Sequence, residues 1–333
     1  MPCVVTVGGF YGDEGKGKVV AYLSIKDNLD LAARGGVGPN AGHTFIQAGK
    51  EYKVRMLPSA VINRNTRLLI GAGVLVEPTI LENEIQIFNA TDRLFIDFQC
   101  GIIDKIHQDS DKNNDHLKKV IGTTGSGTGP ANADRALRNV RLAKDIPEIA
   151  LYLEDVSNSI NHAIENDEKV LIEGTQGTFL SLFHGTYPFV TSKDVTASAI
   201  CSDVGVGPKK VDDVLIVFKS YVTRVGEGPL NCEITLEQAR AKNWLEFGSV
   251  TGRQRRSAPF DFDLAKKAIQ INSATQIALT KLDVLYPHAK GIREFSTLPE
   301  EAKDFILNIE SETGLPVTII GTGAEIMDTI DRR

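Results

Sequence analysis

The chain has 333 residues, 42% hydrophobic and 24% charged, enough for one large α/β unit or two modest ones with ample cores. Lys and Arg number 37 against 43 Asp and Glu, a net charge of -6 that argues against a nucleic-acid binder yet permits local basic clusters for small anions. Four cysteines without paired spacing (Cys3, Cys100, Cys201, Cys232) read as reduced, mostly packed thiols, and the first apolar run is too short to span a bilayer, so a cytoplasmic protein is expected.

A buried-strand pattern, Cys3 to Val7, runs into Gly8-Gly9-Phe10-Tyr11-Gly12-Asp13-Glu14-Gly15-Lys16-Gly17-Lys18 and then into a helical pattern, Val19 to Leu23. Glycines let the backbone approach an anion, and N–H groups at the following helix start point toward it. Gly12 to Lys18 fits the G-x-x-x-x-G-K half of a P-loop, with Val19 where Ser or Thr normally holds magnesium. Asp13 and Glu14 add two carboxylates among the phosphate donors. That is electrostatically costly unless a carboxylate holds a metal or moves a proton, so the loop points to an enzyme.

Next comes Arg34-Gly35-Gly36-Val37-Gly38-Pro39-Asn40-Ala41-Gly42-His43-Thr44, glycines around one amide and one imidazole. His43 is either a core histidine or, at a near-neutral pKa, a donor to a departing phosphate. Arg67–Ile70 reads as a strand. The polar stretch Asp104–Lys119 reads as an exposed loop or helix edge without chemistry. Ile121 to Pro130 (IGTTGSGTGP) is a second run of N–H and hydroxyl donors, suited to a second phosphorylated substrate or else a surface loop. Arg135 and Arg138 follow on an expected helix.

Strand Lys169–Ile172 leads into Glu173-Gly174-Thr175-Gln176-Gly177-Thr178, where the Gln176 amide can read a base edge, and later His184 to Ser192. Strand Val214–Phe218 follows. Gly248-Ser249-Val250-Thr251-Gly252-Arg253-Gln254-Arg255-Arg256 is either a guanidinium receptor for carboxylates and phosphates or a basic surface turn. Asp261 and Asp263 offer caps for a helix at Leu264–Ile271. Strand Gln276–Thr280 ends in Lys281-Leu282-Asp283, similar to the guanine-reading motif of GTP-binding proteins, in which the carboxylate accepts from N1–H and the 2-amino group. Helix Glu300–Glu312 stops at Gly314, and strand Val317–Ile320 closes the series. The alternation predicts an α/β fold: a mostly parallel central sheet with flanking helices, P-loop NTPase-like, with helical and loop excursions, in a single domain over 1–333.

With these segments in view the chain closely resembles the adenylosuccinate synthetase family. GDEGKGK (Gly12–Lys18), NAGHT (Asn40–Thr44), IGTTGSGTGP, EGTQG (Glu173–Gly177), HGTYPFVTS (His184–Ser192), VTGRQRR (Val250–Arg256) and TKLDVL (Thr280–Leu285) occur in family order along essentially the whole chain. The length resembles the compact archaeal branch. The resemblance implies GTP-driven condensation of IMP with L-aspartate through 6-phosphoryl-IMP, with Mg2+ as cofactor. Implied catalytic residues are Asp13, His43, Lys16 and Gln176, with Asp13 and Gly42 as metal ligands. Implied GTP contacts are Gly12, Asp13, Glu14, Gly15, Lys16, Gly17, Lys18, Gly42, His43, Thr44, Arg255, Lys281, Leu282, Asp283, Gly321, Thr322 and Gly323. IMP contacts are Asp13, Lys16, Asn40, His43, Thr123, Thr124, Arg138, Gln176, Leu180, Thr191 and Arg253. Aspartate contacts are Ser249, Val250, Thr251, Gly252, Arg253 and Arg255.

Arg138 is implied to reach IMP across a homodimer interface. Gln254, Tyr11 and Ser257–Phe260 depart from the bacterial pattern. A viral branch performs the same chemistry on dGMP and generally lacks the loop aspartate, so Asp13 favours IMP. A GTP-binding switch protein is the other alternative, but it leaves His43, Ile121–Pro130 and Val250–Arg256 without a role.

Overall fold

The computed structural model describes residues 3–248 and 252–333. A ten-stranded sheet runs, from edge to edge, Thr329–Asp331, Val317–Gly321, Gln276–Thr280, Asp213–Lys219, Cys3–Gly8, Val170–Glu173, Leu31–Arg34, Arg67–Ile70, Leu94–Asp97 and Leu153–Glu154. All neighbours pair parallel except the edge strand Thr329–Asp331, which is antiparallel to Val317–Gly321. The first strand, six buried residues long, is central because Val, Thr and Cys side chains pack on both faces of a parallel sheet. Two cores result. One packs Val5, Ile172, Ile216, Ile277 and helix residues Ile306 and Ile309 on one face; the other packs Val4, Leu171, Val217 and Val20 on the opposite face.

The sequence reading and the structure coincide at Arg67–Ile70 and Gln276–Thr280, the other strands differ by a residue, and the helical pattern at Val19–Leu23 extends three residues further at each end, to Lys16–Lys26. The helix expected at Leu264–Ile271 spans Phe262–Asn272, because the Asp261 carboxylate accepts from Leu264 N–H at 2.9 Å and so starts it earlier. Helix Glu300–Thr313 ends where Gly314 turns left-handed, at φ 71°. The thiols are free; Cys3, Cys100 and Cys201 are buried, whereas Cys232 is exposed.

Of the two readings of the polar stretch Asp104–Lys119, exposed loop or helix edge, the structure has the helix. The stretch forms helix Lys105–Asn113 and a π turn, His116–Ile121, with His107 and Asp111 buried. Its polarity hid the two inward residues, because the mostly charged surface face outweighs side chains whose burial rests on hydrogen bonds rather than apolar contact. His107 accepts from Asp104 N–H and contacts Asp134 at 3.0 Å. Arg138 likewise leaves its expected helix, capping Thr128–Leu137 in a left-handed conformation (φ 65°).

Six central strands end on the same side, and their carboxyl ends feed the loops carrying the segments singled out above, as open parallel sheets require of a ligand site. Two smaller antiparallel strand pairs frame these loops: the hairpin His43–Gln47 with Lys50–Val54, and Tyr221–Val225 with Arg255–Pro259. Among the described residues no helix is long and apolar enough to cross a membrane.

Candidate active site

The loop between strand Cys3–Gly8 and helix Lys16–Lys26 is closed by one of its own carboxylates. Glu14 Oε1 accepts from the N–H groups of Phe10 (3.0 Å) and Gly12 (2.7 Å), and Oε2 accepts from Lys16 Nζ at 2.9 Å. Glu14 is buried, so its carboxylate does not stand among the phosphate donors; only its backbone can serve a ligand. The Lys16 ammonium also donates to the Gln176 carbonyl, which ties the loop to the one following Glu173. Gly17 is required by close approach: a Cβ there would lie 2.9 Å from His43 Cβ. Lys18 points elsewhere, donating to the carbonyls of Gly323 (2.6 Å) and Asp328 (2.7 Å), and burial pushes its pKa down to about 8.

Asp13 is the acid the loop does present. It sits left-handed at φ 62°, and its side chain is a quarter exposed and 2.8 Å from Arg255 Nη2. Burial raises its pKa above the ordinary carboxylate value, against the pull of Arg255 and Lys219, which makes it a better proton acceptor. Gln176 is also left-handed, at φ 63°, on the facing loop.

His43 begins a strand rather than closing the glycine loop, and it is buried. Its Nδ1 meets Glu173 Oε1 and lies 2.7 Å from Arg34 Nη1. Glu173 also accepts from Ser59 Oγ and Ser59 N–H, both at 2.6 Å. Glu173 and Arg34 are paired last residues of adjacent strands, so the sheet register itself sets this cluster. Burial, then the Arg34 charge, pushes His43 down to about 4, not the near-neutral value expected from its type. Burial alone would raise Glu173, but His43 and Arg34 outweigh it and hold the carboxyl at about 2.

The second donor loop is fixed by Asp111, a residue the sequence reading passed over. Its Oδ1 accepts from Thr123 Oγ1 at 2.7 Å and its Oδ2 from Gly127 N–H at 2.8 Å. Asn40 Nδ2 donates to Thr191 Oγ1 at 3.3 Å, while Asn40 Oδ1 is buried without a partner. At the far end, Asp283 Oδ1 is also buried without a partner, an acceptor of the kind a guanine edge would satisfy. Lys281 beside it is left-handed (φ 61°) and half exposed, its carbonyl held by Ser220 Oγ at 2.8 Å.

One cavity of about 600 Å³ joins these parts. Its wall includes Gly12, Asp13, Gly15, Lys16, Gly17, Lys18, Asn40, Gly42, His43, Thr44, Thr123, Thr124, Gln176, Leu180, Thr191, Arg253, Arg255, Lys281 and Gly323. Glu14, Arg138, Gly252, Leu282, Asp283, Gly321 and Thr322 stand off the wall. Leu282 is a core residue, and Thr322 Oγ1 donates to the Ile292 carbonyl at 2.6 Å. Ser249, Val250 and Thr251 lie outside the described residues. Among the described residues no group of three or more His, Cys, Asp or Glu could hold a metal by itself.

A family model described as adenylosuccinate synthetase matches residues 5–148 and 141–290. The adenylosuccinate synthetase of Methanococcus vannielii is 53% identical over 336 residues, spanning 100% of this chain and 99% of that protein. The chain belongs to the adenylosuccinate synthetase family. The enzyme of that name from Pyrococcus horikoshii is 51% identical, again over 100% of this chain and 99% of its own. Fully ligated adenylosuccinate synthetase from Plasmodium falciparum matches with a TM-score of 0.93 at 29% identity, covering 99% of both chains. Succinoaminodeoxyadenylate synthetase of cyanophage S-2L shares the fold (TM-score 0.83, 22% identity, 99% of this chain and 95% of that one). The chain is thus a GTP-dependent ligase of purine biosynthesis, joining L-aspartate to IMP to give adenylosuccinate, GDP and phosphate.

Proposed function

We propose that the cavity performs this ligation within one catalytic unit over 1–333, with Asp13 as the base. Asp13 takes the proton from N1 of the hypoxanthine, and the O6 oxyanion attacks the γ-phosphate of GTP, forming the O6–P bond as the bond to GDP breaks. Gln176 steadies the purine edge. Lys16 and the backbone N–H groups of Gly15 and Gly17 neutralise the transferring group, while the Gly12 N–H stays on Glu14. The amine of aspartate then adds to C6, and phosphate leaves with the former O6. Oxygen at C6 is a poor leaving group; phosphate is a good one. The ligand-free His43 is neutral at pH 7, so its acid role draws on the negative charge that bound phosphates bring beside it.

Asn40, Thr123, Thr124, Leu180, Thr191 and Arg253 surround IMP in this reading. Lys281 and Asp283, with the backbone of Leu282, Gly321, Thr322 and Gly323, take guanine, and Thr44 and Lys18 complete the nucleotide site. Gly252, Arg253 and Arg255, with Ser249, Val250 and Thr251, take aspartate. Asp13 and the Gly42 carbonyl are hard oxygen donors beside the phosphate loop, and Mg2+ is commonly held by one or two carboxylates plus substrate phosphates, so they fit that ion. When bound, it would neutralise charge on the phosphates. A homodimer is supported by Arg138, which is exposed and off its own cavity wall next to Leu137, 66% exposed. Cytoplasmic residence follows from the substrates.

The observation that carries the reading is the convergence of two donor loops, one ligand-facing carboxylate and the guanine-type strand end on one cavity. Oxygen-18 placed on the IMP carbonyl tests it: the label should appear in released phosphate. Retention of the label in the nucleotide, or equal turnover of dGMP in the same assay, contradicts it.

A further inference from the structure

Glu246 lies at the mouth of the basic loop, outside every segment singled out by sequence, yet it joins cations from three separate segments. Its Oε2 accepts from Lys219 Nζ at 3.0 Å and from Arg255 Nη1. Its Oε1 accepts from the Tyr221 hydroxyl and is 3.9 Å from Lys281 Nζ. Backbone bonds fix Glu246 to Arg255 as well: Arg255 N–H donates to the Glu246 carbonyl at 2.9 Å, and Gly248 N–H to the Arg253 carbonyl at 2.8 Å. The pair is the root of an antiparallel ladder that continues to the Phe247–Gln254 bridge. Behind it Tyr221 stacks on Trp244, ring centroids 4.6 Å apart at 11°.

Arg255 is divided between two acids. Nη1 is on Glu246, Nη2 is on Asp13 at 2.8 Å, and Nε is buried without a partner. A guanidinium is planar and rigid, so fixing one nitrogen fixes where the others point. Asp13 must turn to its substrate during the reaction, and Arg255 then needs another anchor.

We propose that Glu246 is a positioning residue for Arg255, keeping one guanidinium nitrogen in place while the other exchanges Asp13 for an anionic group of the incoming substrate. The inference rests on the reading that Arg255 faces aspartate and nucleotide. With glutamine at 246, Asp13 becomes the sole carboxylate on Arg255 in this cluster, so acid and arginine stay on each other and are both withheld from substrate.

The test is steady-state kinetics of the full chain, each substrate varied with the others saturating, for Glu246→Gln, Glu246→Asp, Arg255→Lys and the double variant E246Q/R255K. For Glu246→Gln, kcat/KM for aspartate should fall about tenfold to a hundredfold, the range for coupled neighbouring groups, with KM for IMP nearly unchanged. Glu246→Asp should recover part of the loss, and the double variant should be no worse than Arg255→Lys alone. Multiplying losses in the double variant, an unchanged aspartate kcat/KM, or an equal loss for all three substrates together with a lowered Tm would overturn the proposal. An Arg255→Lys enzyme with unaltered kinetics would remove the underlying reading of Arg255, and the proposal with it.

Discussion

Glu14 and Glu246 are both carboxylates packed against a buried lysine beside the same cavity, but one closes on its own loop and the other is shared among distant segments. Every Glu14 side-chain partner, Phe10, Gly12 and Lys16, lies within four residues of it. The partners of Glu246 are nine residues away at Arg255, 25 at Tyr221 and 27 at Lys219. The phosphate loop can therefore take its shape from local bonds before any ligand arrives. The Glu246–Arg255 pair exists only once strand Asp213–Lys219, the Tyr221–Val225 strand and the end of strand Gln276–Thr280 have assembled around it. Asp13 sits where the two meet: its backbone belongs to the first system and its side chain, through Arg255, to the second.

Removing the charge at that meeting point should have the largest effect. Asp13→Asn keeps the loop, whose closure depends on Glu14, but removes the proposed base. Turnover should fall by about 10²–10⁴, the usual scale of a general base, while IMP binding measured by calorimetry survives. Near-wild-type turnover would take Asp13 out of that role. The opposite phenotype is expected next door. Glu14→Ala leaves Lys16 buried without its carboxylate, a change that typically costs about 3–5 kcal/mol, so the urea midpoint should drop sharply. An unmoved midpoint would mean that the loop does not depend on this internal bridge.

The same division explains what could be read from the sequence. The phosphate loop, the Arg67–Ile70 and Gln276–Thr280 strands and the glycine-rich segments were legible because their determinants are adjacent in the chain: strand, glycines, helix start. Glu246 and Asp111 were not. Each is one acid in an ordinary polar context whose partners arrive from elsewhere, and a lone acid just before a basic loop was the only available signal. Glu14 was legible as a residue but misassigned in role, because spacing shows that a carboxylate is present and not that it turns back on Phe10 and Gly12 N–H groups. His43 was singled out for its glycines, whereas its protonation is governed first by burial and then by the Arg34 charge, with Glu173 opposing both, and Arg34 and Glu173 are brought beside it by sheet register.

That histidine cluster gives a pH dependence with a definite sign. His43 is about 4 in the fold against the ordinary imidazole value of 6.5, so below pH 6.5 the unfolded chain takes up a proton that the folded one refuses, and stability declines toward pH 4. Glu173, held at about 2 against 4.5, adds its own loss from pH 4.5 downward as the unfolded carboxylate protonates first. The shift at His43 corresponds to a loss on the order of 3 kcal/mol, readable as the unfolding free energy in urea at pH 7 and pH 4. His43→Asn should flatten the upper part of that slope, and an equally steep slope in the variant would assign the loss to other groups.

The smallest effect is expected at the proposed guanine site, where the comparison can be sharpened without touching either glutamate. Asp283 carries a buried acceptor with no partner in the ligand-free chain, and its strand is fixed to the phosphate loop because Thr280 Oγ1 donates to the Glu14 carbonyl at 2.6 Å. Asp283→Asn exchanges one acceptor oxygen for a donor, so a base edge with two N–H donors loses its charged partner while the strand end is undisturbed. Hydrogen bonds to charged groups contribute about 1.5–3 kcal/mol, so preference for GTP over ITP, which lacks the 2-amino group, should fall roughly tenfold to a hundredfold. Turnover at saturating nucleotide should stay near that of the parent, since Asp13 and Lys16 are untouched. Undiminished discrimination would move guanine recognition away from this carboxylate, and a fall in turnover at saturation would show that the guanine end reaches the chemistry through the Thr280–Glu14 link.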